Sequence, residues 1–343
     1  MTNKNLNQIQ KGDFIMAKVY DIAKINASIP MVVDSGKMNS KGYAELNGTE
    51  ITSVFRTNVV ETNQIAHEEF RVVYADKTYS VGDSNHAIDP NHLKTEKNID
   101  MHVISTLKMI TELIDKMGLP RVGLKIHLGV NMPIKQYLEP SLRTSFENLY
   151  RANHSIKVSD REYSFEVTDV EVNAEGLGIL FLNPAKFKNR RFVVCDNGGL
   201  NSSFIQVDNM RPMSGSDSLQ TGVHTLCLEI DKKLSHKGLK HEQIIDILED
   251  NGKTYKDEEI EKVVSECLAA HVKSIYTSLD SVSRAALTDY LFTGGASSIY
   301  KKELEKYFPH VEFSENGLFD NAKGFYKKLE STRRRAIKNA EQA

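Results

Sequence analysis

The chain has 343 residues, of which 40% are hydrophobic and 26% are charged, and it contains 20 glycines and 8 prolines. This length allows about two domains, and the composition is that of a folded globular protein, which excludes a peptide hormone, a collagen-like chain and a wholly disordered chain. The 44 Lys and Arg residues nearly balance the 46 Asp and Glu residues, and the net charge of −2 argues against a protein that coats nucleic acid by bulk charge.

Targeting and covalent cross-linking signals are weak in this sequence. No apolar run approaches the roughly 18 residues of a membrane span, and residues 1–27 mix Lys, Asp and Asn too evenly to leave a signal-peptide core. We therefore expect the cytoplasm as the location. The three cysteines, Cys195, Cys227 and Cys267, form no C-x-x-C pair and stand in apolar surroundings, which indicates buried side chains rather than a disulfide framework or a zinc site.

The first half of the chain begins with an apolar run. Residues 29–34, Ile-Pro-Met-Val-Val-Asp, predict a buried strand that ends at Asp34 and enters a turn at Ser35-Gly36. β-branched stretches between about 40 and 85 predict a small antiparallel sheet. The remaining elements predicted in this half are a helix over 100–116, a buried strand over 122–130, a helix over 139–151, strands over 155–158 and 163–172, and a short helix after Gly176.

The second half repeats the opening pattern. Residues 191–201 again combine an apolar strand, an aspartate at Asp196 and a glycine turn at Gly198-Gly199. The elements predicted after it are a strand over 203–207, helices over 219–234, 242–249 and 258–279, a strand over 290–293 that ends in Gly294-Gly295, and a last helix over 320–338. Strands that alternate with helices predict an α/β protein, and the repeated pattern predicts two related halves.

The two Asp-x-Gly turns suggest a binding site for phosphate groups. Ligands bind at the carboxyl ends of strands in α/β sheets, and glycine turns let backbone N–H groups come close to an anion. A carboxylate beside a phosphate requires a cation between them. Two facing copies, at Asp34 and Asp196, therefore predict a clamp for a metal-bound polyphosphate.

These motifs resemble those of the actin-like ATPases, a family that shares its fold with sugar kinases and the heat-shock chaperone ATPase. The resemblance covers about residues 29–330 and is closest to the ParM-type branch that segregates bacterial plasmids. The segments that carry it are Asp34-Ser-Gly36 as first phosphate loop, Asp196-Asn-Gly198-Gly199-Leu-Asn201 as second phosphate loop, Phe292-Thr-Gly294-Gly295-Ala as adenosine loop, and the ParM-like stretches at 79–83, 215–219 and 316–326.

The resemblance implies an α/β, actin-like fold of two related halves, each with a central mixed sheet flanked by helices, and a nucleotide cleft between them. It implies a domain I over 29–185 with a small subdomain at about 40–100. It also implies a domain II over 186–343 with a helical subdomain at about 215–283, and a C-terminal helix that packs back on domain I. Residues 1–28 are then an N-terminal extension.

The resemblance also implies a Mg²⁺-dependent nucleoside triphosphatase with ATP or GTP as its substrate. Glu175 and Asp196 are the implied catalytic residues, Glu175 because it would orient or deprotonate the attacking water, and Asp34 and Asp196 are the implied Mg²⁺ residues. The implied nucleotide-binding residues are Asp34, Ser35, Gly36, Lys37, Asn39, Gly198, Gly199, Leu200, Asn201, Gly294, Gly295 and Ala296. The sequence departs from the family at Lys37-Met38-Asn39, where small or hydroxyl residues are common, and at Asn201, where Thr is usual.

The function that the resemblance implies is assembly into a nucleotide-dependent filament that moves plasmid DNA through a DNA-binding adaptor protein. We expect no membrane partner and no direct DNA contact, because the basic run Arg333-Arg-Arg335 is more typical of a solvated helix end. Two alternatives remain open at this point. One is a small-molecule kinase of the sugar or acetate type with the same fold, although a second acidic motif for it is not evident; the other is a nucleotide-gated scaffold that does not hydrolyse.

Overall fold

The computed structural model describes residues 27–64, 67–83, 99–250 and 255–342. Most of the expected N-terminal extension and part of the expected small subdomain therefore lie outside the described residues. Within the described ranges, no helix is both long and apolar enough to span a bilayer.

A first mixed sheet contains nine strands. They are β1 (Ile29–Ser35), β2 (Asn39–Leu46), β3 (Thr49–Arg56), β4 (Val59–Glu61), β5 (Arg71–Tyr74), β6 (Lys77–Val81), β7 (Val122–Met132), β8 (Asn153–Val158) and β9 (Arg161–Ala174). Their order across the sheet is β3-β2-β1-β7-β9-β8-β5-β6-β4. The prediction of a separate small sheet between 40 and 85 is wrong, because the hairpin from β1 places β2 and β3 at one edge while pairing with β8 places β5, β6 and β4 at the other.

A second mixed sheet repeats the pattern of the first. It contains β10 (Arg191–Asn197), β11 (Ser202–Asp208), β12 (Arg211–Pro212), β13 (Asp217–Leu219), β14 (Tyr290–Thr293) and β15 (Val311–Phe313). Its order is β12-β11-β10-β14-β15, with β13 paired to β11. In both sheets an antiparallel hairpin, β1-β2 or β10-β11, is followed across the sheet by two parallel strands. The expectation of two related halves is therefore confirmed.

Ten helices are described on these sheets. They are α1 (Ile99–Lys116), α2 (Ile134–Tyr137), α3 (Pro140–Tyr150), α4 (Gly178–Leu182), α5 (Pro184–Phe187), α6 (Val223–Lys233), α7 (His241–Asp250), α8 (Glu258–Ser283), α9 (Ser297–Leu304) and α10 (Asp320–Glu341), with short 3₁₀ turns at Glu68–Phe70, Ser235–Lys237 and Ala285–Leu287. The ends follow local chemistry: the side chain of Asp257 accepts hydrogen bonds from the N–H groups of Glu259 and Ile260 and so begins α8.

Apolar packing divides into three cores. One lies between the first sheet and α1, and a second lies between the second sheet and α6 to α9. The third joins residues of both halves, among them Val32 on β1, Val194 on β10 and Phe325 on α10. The last helix, α10, packs against α4, β1 and β2, so it crosses from the second half onto the first sheet.

Candidate functional site

A cleft of about 200 Å³ opens at the carboxyl ends of β1 and β10, the two strands that occupy equivalent places in the two sheets. All the residues that the sequence analysis assigned to nucleotide, metal or catalysis line this cleft, except Ser35. Both Asp-x-Gly turns therefore face one space, as the clamp hypothesis requires. The third glycine turn, at Gly294 and Gly295, lines the same cleft.

Ser35 faces the other side of the first sheet. Its Oγ lies 2.8 Å from Nδ1 of His102 and 2.9 Å from Oγ of Ser105, both on α1. Successive residues of a strand point to opposite faces, so Asp34 and Ser35 cannot both turn into the cleft. The structure thus gives Ser35 a place in the packing of α1 rather than at the cleft wall.

Asp34 is held in the cleft by two polar neighbours. Its Oδ2 lies 3.1 Å from Nζ of Lys41, and its Oδ1 accepts a hydrogen bond of 2.7 Å from Nδ2 of Asn131. Burial lowers the pKa of Lys41, but the charges of Asp34 and Asp196 outweigh that effect and raise the pKa above its usual value. Lys41 therefore stays cationic beside the place expected for phosphate.

The charged groups near Asp196 are mainly negative. Burial, and next the charge of Asp34, raise its pKa to about 6, while a hydrogen bond of 2.9 Å from Nδ2 of Asn321 to Oδ2 opposes that rise. A carboxylate in such a position is stabilised by a cation. Carboxylate oxygens are the ligands that Mg²⁺ prefers, so the pair Asp34 and Asp196 fits this ion.

A metal site built only from protein side chains is not found in the described residues. In the described part of the chain, no three His, Cys, Asp or Glu side chains come together closely enough to hold an ion among them. Mg²⁺ loses its waters reluctantly and commonly binds through one or two carboxylates together with phosphate oxygens. The cleft therefore fits an ion that arrives with a nucleotide.

Glu175 also lines the cleft and comes directly after β9. Its backbone N–H donates to the carbonyl of Met132, which fixes the end of the strand. Gly176 follows with φ of +83°, and a Cβ there would lie 2.9 Å from Cδ1 of Ile205 and 3.1 Å from Cβ of Asp196. The chain can pass so close to Asp196 only because residue 176 is Gly, and this passage brings Glu175 to the same cleft as both aspartates.

The glycine turns allow close approaches within the cleft. Gly294 has φ of +88°, and any Cβ there would collide with Oδ1 of Asp196. Met38 from the first turn packs on Gly199 from the second, so the two turns touch across the cleft. Asn201, the residue that departs from the family pattern, donates from Nδ2 to Oγ of Ser218 at 2.6 Å and thereby ties the second turn to β13.

The lining of the cleft also includes apolar side chains. Ile245 and Glu249 on α7 line it together with Ile299 on α9 and Leu318. Apolar side chains with one carboxylate suit a nucleoside, whose base stacks and whose ribose donates hydrogen bonds. Leu318 lies in the ParM-like stretch 316–326, which was not assigned to the site. The residues of α7 and α9 were not predicted there, because the amphipathic pattern of α7 does not show which neighbour its outer positions face.

Three polar residues near the aspartates were also missed. The register of the β1-β2 hairpin pairs Asp34 with Lys41, and the parallel register of β1 with β7 places Asn131 beside Asp34. Either residue could have been found from strand pairing: Lys41 follows a four-residue turn, and Asn131 comes just after the predicted strand 122–130. Asn321 offers no signal from strand pairing; it lies in the ParM-like stretch 316–326, but that stretch does not show a contact with Asp196, which is far away in sequence.

Comparisons with known proteins agree with this geometry. Residues 33–178 match the family model described as the N-terminal domain of actin like proteins. No curated protein matches the sequence. Among solved structures, the actin-like protein Alp7A is 15% identical with a TM-score of 0.70, over 91% of this chain and 98% of its own.

Two filament structures are similar in the same way. An AlfA filament from B. subtilis plasmid pLS32 is 15% identical with a TM-score of 0.61, over 87% of this chain and 97% of its own. A 15-stranded ParM filament from Clostridium botulinum is 15% identical with a TM-score of 0.67, over 89% of this chain and 99% of its own.

The family match covers the part of the cleft that belongs to the first half, including Asp34, Lys41 and Glu175. The structural likenesses extend over both halves and nearly the full length of each compared chain. The chain therefore has the actin-like fold of the ParM-type proteins, and its residues 33–178 match the model of the actin-like N-terminal domain.

Proposed function

We propose that this chain is a filament-forming nucleoside triphosphatase that segregates plasmid DNA through a DNA-binding adaptor protein, in the cytoplasm, with ATP or GTP as its substrate. The observation that carries the proposal is the convergence of Asp34, Asp196 and Glu175 on one cleft between two equivalent strands and their glycine turns. The likeness to a ParM filament and to an AlfA filament from a plasmid supports assembly and segregation.

In this proposal the backbone positions the triphosphate. The turns at Gly36, Gly198 and Gly199 would let the phosphates come close to the backbone, and Lys41 adds a partly buried positive charge next to Asp34. Asp34 and Asp196 would hold Mg²⁺ through its waters, and the ion, when bound, would neutralise negative charge on the phosphate oxygens. Phosphoryl transfer needs little covalent help, so such positioning and charge stabilisation supply most of the acceleration.

Glu175 would act on the attacking water. A carboxylate that orients the water or accepts its proton adds on the order of 10²- to 10⁴-fold in rate. Its place at the end of β9, next to the passage beside Asp196, supports this role, because Asp196 is proposed to hold the Mg²⁺ of the bound nucleotide.

Assembly would be linked to the nucleotide through the two halves. The cleft has walls from both, so a bound nucleotide biases the angle between them and with it the surfaces that meet in a filament. A coupling of about 1–3 kcal/mol changes an assembly equilibrium by roughly 5- to 150-fold. Head-to-tail contacts that do not close on themselves give an open filament.

The test is the release of phosphate by the purified chain with Mg²⁺ and ATP or GTP, together with light scattering. We expect Glu175→Gln to bind nucleotide as the wild type does and to release phosphate at least tenfold more slowly, since only the group that handles water is lost. The matched control is Glu162→Gln, an exposed glutamate on β9, the strand that leads to Glu175.

Three outcomes would contradict parts of the proposal. A wild-type chain that binds nucleotide and releases no phosphate would instead be a nucleotide-gated scaffold. An unchanged rate in Glu175→Gln would remove Glu175 from the mechanism. A chain that stays monomeric at tens of micromolar with triphosphate, diphosphate and no nucleotide would remove the filament.

A further inference from the structure

Asn321 makes two hydrogen bonds that join separate parts of the cleft. Its Nδ2 donates to Oδ2 of Asp196 at 2.9 Å, and its Oδ1 accepts from the backbone N–H of Gly178 at 3.1 Å. The orientation of the amide follows from its partners, because a backbone N–H can only donate and a carboxylate can only accept. Asn321 lies in the first turn of α10 and is about 6% exposed.

The bond to Asp196 fixes a side chain that has few other favourable neighbours. Asp196 is half-buried, and the nearby charges of Asp34 and Glu175 are of the same sign as its own. A hydrogen bond to the ionised carboxylate is stronger than one between neutral groups and favours one rotamer. Without a donor at this position, the carboxylate would turn away from the other two acids.

The bond to Gly178 fixes the chain that carries Glu175. Gly178 begins α4, three residues after Glu175, and the backbone of Asn321 packs directly on it, since a Cβ at Gly178 would collide with Cα and the carbonyl of Asn321. One amide therefore contacts both the aspartate of the second half and the connection that leads from the first half into the second.

We propose that Asn321 is a positioning residue for hydrolysis, which holds the carboxylate of Asp196 and the segment of Glu175 at a fixed separation. This inference rests on the proposed triphosphatase activity. Asn321 itself touches neither substrate phosphate nor water in this scheme. Its removal should therefore lower kcat and leave KM nearly unchanged, because the nucleotide is bound mainly by the glycine turns and Lys41.

The decisive variant is Asn321→Asp. It keeps the size of the side chain and an acceptor for the N–H of Gly178, but it replaces the donor to Asp196 with a second carboxylate. If Asn321 served only to cap α4, the aspartate would do as well, since a carboxylate near a helix N-terminus is favourable. If it positions Asp196, the aspartate should be at least as harmful as alanine.

The experiment measures steady-state phosphate release, nucleotide affinity and thermal unfolding for Asn321→Asp, Asn321→Ala and the wild type. We expect at least a tenfold loss of kcat in both variants with KM changed by less than about threefold, since displacement of a catalytic group by about 1 Å can cost about 100-fold. The control is Asn339→Asp, an exposed asparagine on the same helix, which should match the wild type.

The outcomes separate the two proposals. A wild type that hydrolyses nucleotide and an Asn321→Asp variant within twofold of its kcat would overturn the inference alone. A variant with a raised KM and an unchanged kcat would also overturn the inference, because Asn321 would then contribute to nucleotide binding. A wild type that releases no phosphate would overturn the inference together with the proposed function.

Discussion

Asp320, next to Asn321, is a buried carboxyl group that forms no ion pair among the described residues, since the nearby Lys323 pairs with Glu50. It is 5% exposed, and its Oδ2 has no hydrogen-bond partner among the described residues. Burial, and next the negative charge of Asp196, raise the pKa of Asp320 from 3.8 to about 7. The folded chain therefore retains a proton on Asp320 at pH values where the unfolded chain has lost it.

This difference predicts a pH-dependent gain in stability from Asp320→Asn. The stability linked to protonated Asp320 is complete below about pH 4 and is lost as the pH rises through 7, the pKa in the folded chain. The amide has no proton to lose, so we expect the variant to exceed the wild type by about 2–4 kcal/mol in free energy of unfolding at pH 8 and by almost nothing at pH 4. Urea denaturation at pH 4, 6 and 8 measures this.

The control for that series is Asp160→Asn, whose side chain is 86% exposed. It should shift the free energy of unfolding by less than about 0.5 kcal/mol at each pH. A gain in Asp320→Asn that is equally large at pH 4 and pH 8 would show that packing, rather than ionisation, limits the stability at this position.

At the scale of elements, the sequence predicted the strands that end at the cleft better than their neighbours. The runs before Asp34 and Asp196 belong to central strands, each with a parallel neighbour on one side and an antiparallel one on the other, and their burial makes them continuously apolar and easy to recognise. The helix predicted over 219–234 begins only at Val223, because Asp217–Leu219 pairs with β11 instead. Short elements such as β15 and α9 were missed, because tertiary contacts with the neighbouring sheet, rather than a local sequence pattern, determine their secondary structure.

The candidate site divides in the same way. Residues within the glycine turns could be predicted because each turn is local in sequence. The positions of Asn131 and Lys41 beside Asp34 depend on the register of β1 with its two neighbours. An apolar pattern does not specify this register when the length of the turn is unknown. Asn321 reaches Asp196 only through the crossing of α10 over α4, a tertiary contact between segments 143 residues apart.

That crossing depends on two glycines. Gly324 on α10 sits so close to Gly178 on α4 that a Cβ on Gly324 would collide with the carbonyl of Gly178. Ala normally favours a helix over Gly by about 1 kcal/mol, but here the collision is with backbone, which moves little. We expect Gly324→Ala to lower the free energy of unfolding by about 1–3 kcal/mol.

Chemical denaturation measures this effect, with Gly295→Ala as the control. A Cβ on Gly295 would meet nothing closer than Cδ1 of Leu318 at 3.7 Å, an ordinary contact. A Gly324→Ala variant as stable as the wild type would mean that the two helices separate freely, and Asn321 could then not hold a fixed geometry between them.

At the scale of the whole molecule, α10 and the shared core join the two halves, and individual side-chain contacts also join them. Across the cleft, Met38 packs on Gly199, and Arg56 at the end of β3 forms an ion pair with Glu242 on α7 at 3.1 Å. The side chains of Arg56 and Glu242 are 25% and 52% exposed. Opening of the cleft must break this pair.

We therefore expect Arg56→Ala to release a bound nucleotide faster. An exposed ion pair contributes about 0.2–1 kcal/mol, which corresponds to an acceleration of roughly 1.5- to 5-fold if the pair is lost in the opening step. The acceleration should shrink as salt is raised, because the Debye length falls from about 10 Å at 0.1 M to about 3 Å at 1 M. Stopped-flow release of a fluorescent nucleotide measures the rate.

The control is Arg71→Ala, which removes a comparable pair with Glu68 that lies entirely within the first half. Its release rate should equal that of the wild type, and Glu242→Ala should match Arg56→Ala, with no further acceleration in the double variant. If Arg56→Ala and Arg71→Ala behave alike at low salt, the pair is a surface contact without influence on opening. The free energy of closing must then come from other contacts between the halves, such as the packing of Met38 on Gly199 and the ion pair of Lys135 with Asp217, and from the nucleotide itself.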